Sequence, residues 1–219
     1  MNAPVTSGVG AARLAEWIAP GRTALVLIDM QVDFASPDGA LGKAGLDIEA
    51  VKPALSAAQA LAKAARAAKA PVIFVGLFTS PRTDSAAWKE RQRRRGGDPD
   101  SDSALCRLGE VGSEFYGPLP APGEAIVAKT RYSGFVGTDL DARLKALGVD
   151  TLVVAGLTTE CCIDCTVRDA FHLDYHVFIA TDACAAYEDD IHQAALKSLE
   201  LNCAILTTTT EVITAWEKA

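Results

Sequence analysis

Short apolar runs alternate along this chain with longer stretches of helical spacing. Thr23–Ile28 (TALVLI) is a continuous apolar run that ends at a charge, the pattern of a strand buried on both faces. Similar runs at Pro71–Leu77, Glu124–Ala128, Thr151–Ala155, His176–Ala180 and Cys203–Leu206 predict five more strands. Between them, Asp47–Lys69 is Ala-rich with helical periodicity, and its Pro53 fits only near the start. Thr138–Asp141 reads as a capping box with Asp in place of Glu, opening a helix that Gly148 stops. Further helices are predicted from about Cys161 to Leu173, over Asp189–Leu201 and over Thr210–Glu217. Strands joined by helical crossovers give an α/β fold with a mainly parallel sheet covered on both faces. No internal repeat interrupts the pattern, and a single domain spans 1–219, with 1–20 as an N-terminal extension.

The segment 81–118 departs from this alternation. It is long and polar, and its run Arg91–Arg95 (RQRRR) is followed by GGDPDSDS. It reads as a solvated helix and loop. An alternative is a lid or subunit contact, since long insertions in compact domains are often functional.

Composition narrows the possible partners. The net charge of −7 disfavours nucleic acid and anionic membrane, which call for a basic surface. No apolar run approaches the roughly 20 residues that span a bilayer. The first 20 residues lack a basic stretch followed by an apolar block. With six cysteines and no such signal, a reducing, cytoplasmic setting without disulfides is expected.

Ligands of open parallel sheets bind beyond the carboxyl ends of the strands. Asp29 follows the first strand, Lys129 the third, and Cys161 and Cys162 open the helix after the fourth. Taken singly, each has a plainer role: a capping carboxylate, a strand-end cation, a small buried hydrophobe. Together they place an acid, an ammonium and a thiol on one edge. A thiol in the first turn of a helix, near a lysine, is expected to favour the thiolate.

Four segments carry a resemblance: Leu27–Phe34 (LIDMQVDF), Lys129–Phe135 (KTRYSGF), Ala155–Cys162 (AGLTTECC) and Thr166–Ala170 (TVRDA). In order and spacing they are similar to the isochorismatase-like cysteine hydrolases. The resemblance implies a three-layer α/β/α fold with strand order 3-2-1-4-5-6, and a catalytic triad of Asp29, Lys129 and Cys162. It also implies a non-proline cis peptide at Leu157–Thr158 that turns backbone N–H groups toward the substrate carbonyl. The oxyanion donors would be Thr158 and Cys162. Cysteine hydrolases of this kind are commonly oligomeric, so a homodimer or homotetramer is implied.

Within that group, RYSGF and the early SPDGALGKAGLDI resemble enzymes acting on linear ureides such as ureidoacrylate, biuret and triuret. The implied chemistry is hydrolysis of a C–N amide bond through a thioester. Gln31, Phe34, Tyr132, Ser133, Phe135 and Glu160 are the candidate substrate-binding residues. The acidic Glu160, and Gly76-Leu77-Phe78 in place of a polar amide, favour biuret or triuret over ureidoacrylate. Nicotinamidases carry an Asp/His cluster soon after the second strand, whereas the histidines here are His172, His176 and His192. No metal or other cofactor is therefore expected, and these histidines read as surface or packing residues. Cys106, Cys161, Cys184 and Cys203 likewise read as packing residues. Other small amides remain open as substrates: N-carbamoyl amino acids, maleamate, nicotinamide. A thiol–disulfide oxidoreductase using Cys162 and Cys165 is the reading from another class, but it leaves Asp29 and Lys129 unexplained. The thiol argues against a vinyl-ether hydrolase, the intact triad against an idle scaffold, and the lack of G-x-G-x-x-G against a dinucleotide fold.

Overall fold

The computed structural model describes residues 10–218. Six strands form one sheet: β1 (Thr23–Ile28), β2 (Val72–Leu77), β3 (Ala125–Lys129), β4 (Thr151–Leu157), β5 (His176–Ala185) and β6 (Ile205–Thr207). Their order is 3-2-1-4-5-6, and every neighbouring pair is parallel. The expected α/β/α sandwich is therefore the observed one. The helices are α1 (Ala11–Trp17), α2 (Val32–Ala35), α3 (Ala40–Lys43), α4 (Lys52–Ala67), α5 (Ala86–Arg94), α6 (Leu140–Ala146), α7 (Asp164–His172), α8 (Asp189–Asn202) and α9 (Thr209–Glu217). Among the described residues, no helix is long and apolar enough to cross a membrane.

Side chains alternate between the two faces of a strand, so β1 feeds two cores. Leu25 and Leu27 join Phe74, Val153, Ala155 and Phe178 on one face, under α1, α4 and α9. Ala24, Val26 and Ile28 join Ile73, Val75, Leu152 and Val154 on the other, under α6, α7 and α8. Leu14 and Ile18 bury fully in the first core, and the Ile18 carbonyl accepts from Trp216 Nε1 at 2.8 Å. The part of the N-terminal extension described here is thus structural; residues 1–9 lie outside the described residues.

Three local readings need correction. Thr138 does not form a capping box: its hydroxyl accepts from Leu140 N, one residue short of the third helical position, and donates to the Gly134 carbonyl. The complete capping box is instead at α9, where Thr208 and Glu211 exchange hydrogen bonds. The helix expected from Cys161 begins as a π-turn over Thr159–Ile163, and α7 starts only at Asp164. Strand β5 continues past Ala180 to Ala185, because Ala183, Cys184 and Ala185 bury while Asp182 is satisfied by Thr209 N and Oγ1. The register of β4 against β5 shifts between Val154 and Gly156 to accommodate this.

Gly156 has φ +141°, and a Cβ there would stand 2.1 Å from the Ile28 carbonyl oxygen and 2.7 Å from Ile28 N. Both obstacles are backbone of the central strand, which cannot move aside. Gly156→Ala is expected to destabilise the fold by about 2 kcal/mol or more. Urea titration checks this; a change below about 0.5 kcal/mol contradicts the close approach of β1 and β4.

Candidate active site

The carboxyl ends of β1, β3 and β4 bring three polar side chains together. Asp29 leaves β1 at φ +49°, in the left-handed region that aspartate tolerates better than most residues. This turns its side chain toward the next strands. Lys129 is the last residue of β3, one register step from solvent yet only 1% exposed. Cys162 sits inside the π-turn that follows β4, and the Leu157–Thr158 peptide before that turn is cis. π-Turns are rare and concentrate at functional sites.

Lys129 Nζ lies 2.7 Å from Asp29 Oδ2 and 3.4 Å from Cys162 Sγ. Its third contact is the Arg131 carbonyl at 2.9 Å. The directed hydrogen bonds of the ammonium go to Arg131 and Cys162. The Asp29 pair is an ionic contact at hydrogen-bond distance, and the Cys162 thiol also bears on the carboxylate. A buried carboxylate beside a thiol is suited to accept its proton.

Burial sets the electrostatics. It holds the Asp29 carboxyl above its ordinary value, against the pull of Lys129. For Lys129, burial disfavours the charge, but Asp29 and then Cys162 outweigh it and keep the ammonium above its ordinary value. The Cys162 thiol is pushed well above its ordinary value by its contact with Cys161, by burial and by the Asp29 charge, with Lys129 opposing. For Cys162 this direction runs against the expected thiolate: the sulfur is buried in a π-turn beside Asp29 rather than in the open first turn of an α-helix.

The site opens into a cavity of about 390 Å³. Of the six candidate substrate-binding residues, Phe34, Tyr132 and Glu160 line it. Gln31 does not, because its amide is consumed by structure: Nε2 donates to the Leu77 and Ser113 carbonyls at 2.9 Å each, and Oε1 accepts from Leu77 N at 2.8 Å. Ser133 is buried and accepts from Phe135 N at 3.1 Å. Phe135 packs on Tyr175 at 5.8 Å against the second core.

Residues outside the candidate set also build the site. Helix α5, inside the polar 81–118 segment, roofs the cavity through Trp88, Arg91 and Gln92. Their i, i+3, i+4 spacing was the available signal. The segment is pinned by Arg107, which pairs with Asp84 at 2.6 Å, and by Asp33, which accepts from Cys106 N and Ala40 N. Trp88 stacks on Tyr132 at 5.3 Å, with the Arg131 guanidinium 5.7 Å from the Trp88 ring centroid. The turn that carries Cys162 is braced twice. Thr166 Oγ1 donates to the Cys162 carbonyl and accepts from Gly134 N, and Thr159 Oγ1 meets His192 Nδ1 at 2.8 Å. His192 thus has a specific partner, whereas His172 and His176 are exposed. Among the described residues, no group of three or more His, Cys, Asp or Glu is arranged to hold a metal ion. Cys106 and Cys184 are buried thiols, Cys203 is half-buried, and Cys161 lines the cavity beside Cys162.

Known proteins share this arrangement of strands. The ureidoacrylate amidohydrolase of Methylobacterium radiotolerans is 34% identical over 194 residues, covering 83% of this chain and 74% of the relative. The crystal structure of a cysteine hydrolase from Pseudomonas syringae pv. phaseolicola superposes with a TM-score of 0.80 at 33% identity, over 92% of this chain and 95% of that one. N-carbamoylsarcosine amidase from Thermoplasma acidophilum superposes at 0.69 with 26% identity, over 86% and 96%. The isochorismatase domain model matches residues 23–211, from the first residue of β1 into α9, and the chain belongs to the isochorismatase family.

Proposed function

We propose that this chain is a cysteine amidohydrolase that cleaves a C–N bond of a small linear ureide of the biuret, triuret or ureidoacrylate kind. Amide hydrolysis as the reaction class is supported by the family and by the ureidoacrylate amidohydrolase relative. The observation that carries the reading is the meeting of Asp29, Lys129 and Cys162 at one cavity, within 2.7 and 3.4 Å of the shared ammonium.

Asp29 takes the Cys162 proton as sulfur attacks the ureide carbonyl carbon. Lys129 balances the negative charge that passes from carboxylate to sulfur. The carbonyl oxygen gains charge and is met by the backbone N–H groups of Thr158 and Cys162; one such donor is typically worth about 3 kcal/mol. The C–N bond breaks, and the leaving nitrogen takes the proton back from Asp29 as ammonia or an amine. The acyl group is then a thioester, or a thiocarbamate where the carbonyl was flanked by two nitrogens. Water, deprotonated by Asp29, hydrolyses it and regenerates the thiol.

A second reading, hydrolysis of an N-carbamoyl amino acid, draws support from the likeness to N-carbamoylsarcosine amidase. It uses the same steps, with ammonia as the leaving group and a carboxylate on the retained part of the substrate. A dithiol redox enzyme would instead depend on Cys165 as much as on Cys162.

Cys162→Ser is expected to lower ammonia release by at least about 10³-fold while binding persists, since the hydroxyl is a far weaker nucleophile at this pH. Steady-state ammonia assay with ligand titration checks both halves; near-normal turnover contradicts the assignment. Cys165→Ser is expected to retain activity within about threefold, and loss of activity would point to dithiol chemistry.

The pH dependence follows from the shifted groups. Asp29 must be ionised to act, and its pKa is raised, so kcat/KM falls with decreasing pH at values above the ordinary carboxylate range. Lys129 must stay charged and is also raised, so its alkaline limb lies above the ordinary lysine value. An acid limb at or below pH 4 would contradict the role of Asp29.

A further inference from the structure

Among the ureides proposed above, the smallest would leave part of the cavity uncovered. Biuret and triuret consist of carbonyl and nitrogen groups and offer nothing apolar. Yet Leu41, Leu46 and Leu105 line the cavity only half-buried, and Ile191 is 39% exposed on it. These side chains leave apolar surface in contact with water that a suitable substrate would cover.

The fixed charges have a direction as well. The charges of Asp29 and Lys129 offset one another. Glu160, two residues before the nucleophile, and Glu188, at the start of α8, are the acidic groups beyond that pair. Glu160 already accepts from Thr158 Oγ1 at 2.8 Å. Arg91 faces the same cavity from the roof helix. The other charges on α5 find partners: Lys89 pairs with Asp100, and Glu90 with Arg93 and Arg94. Arg91 enters no ion pair among the described residues. Its charge nevertheless reaches the cavity wall: burial raises the Tyr132 phenol above its ordinary value, and among the opposing influences is the Arg91 guanidinium. The carbamoyl N–H donors of a substrate suit the Glu160 end, next to the sulfur. An anion suits the roof.

We propose that the cavity selects a linear ureide carrying both an apolar side group and a carboxylate, the class of N-carbamoyl amino acids with aliphatic side chains, with Arg91 seating the carboxylate. The proposal rests on the amidohydrolase reading above. It reverses the preference for biuret or triuret that Glu160 alone suggested, because the sequence did not show that Arg91 faces the same space. In the reaction, sulfur bonds to the carbamoyl carbon, the C–NH2 bond breaks, and ammonia leaves with the proton held by Asp29. Water then releases the carbamate of the amino acid, which decomposes to carbon dioxide and the free amine.

The test is ammonia release by the wild-type chain and by Arg91→Met. The substrates are N-carbamoyl-leucine (both enantiomers), N-carbamoylglycine, 3-methylbutylurea and biuret. The glycine compound keeps the carboxylate and loses the apolar group; the butylurea does the reverse. In the wild type, kcat/KM for one leucine enantiomer is expected to exceed that of each truncated compound by about tenfold or more, in line with a charge-assisted contact and several buried methylene groups. Arg91→Met is expected to shrink the leucine-to-butylurea ratio by about tenfold. The wild-type ratios read the proposal without any variant. Biuret as the preferred substrate, or a leucine-to-butylurea ratio unchanged by Arg91→Met, overturns this inference and leaves the amidohydrolase reading standing. No ammonia from any of these compounds overturns the inference; if triuret and ureidoacrylate also release none, the amidohydrolase reading falls with it.

Discussion

The site depends on one buried ion pair. Asp29 and Lys129 are both about 1% exposed, and neither would carry charge there alone. Each makes the other's charge tolerable, and removing one partner from such a pair typically costs about 3–5 kcal/mol. The sheet supplies the geometry: β1 and β3 are separated by β2, so their carboxyl ends reach toward each other across a single strand. Asp29 bridges that distance by its left-handed backbone, Lys129 by the length of its side chain. The sulfur is then added to a field that already exists. Contact with Cys161, burial and the Asp29 charge all push the Cys162 thiol up, and Lys129 opposes them.

Most of the sheet was legible because each strand is a short apolar run bounded by charge or glycine. The meeting of Asp29, Lys129 and Cys162 was legible because strand ends in a parallel sheet fall on one edge. What periodicity could not show was local. Two consecutive polar residues, Thr181 and Asp182, ended the apparent fifth strand, although Asp182 is satisfied by α9 and the strand continues. Thr138 lies one residue away from a working capping box, a difference no composition rule resolves. A π-turn has no sequence signature of its own, so the surroundings of Cys162 had to be seen.

The substrate-binding residues were less legible, for a physical reason. Gln31, Ser133 and Phe135 stand in motif segments close to the triad, but proximity along the chain does not fix the direction of a side chain. Gln31 faces the β2 end and the segment after it. Phe135 faces the second core. Conversely, α5 is remote from every motif and reads as a charged surface helix, yet Trp88, Arg91 and Gln92 at its i, i+3, i+4 positions line the cavity.

The short turn after Asp29 does more than place a carboxylate. Gln31 grips Leu77 and Ser113, and Asp33 grips Cys106 and Ala40, so five residues of chain tie Asp29 to the end of β2, to α3 and to the segment that covers the cavity. Trp88, Arg91 and Gln92 on α5 take no part in these bonds, so an exchange at any of them reshapes the cavity wall and leaves the seating of Asp29 intact.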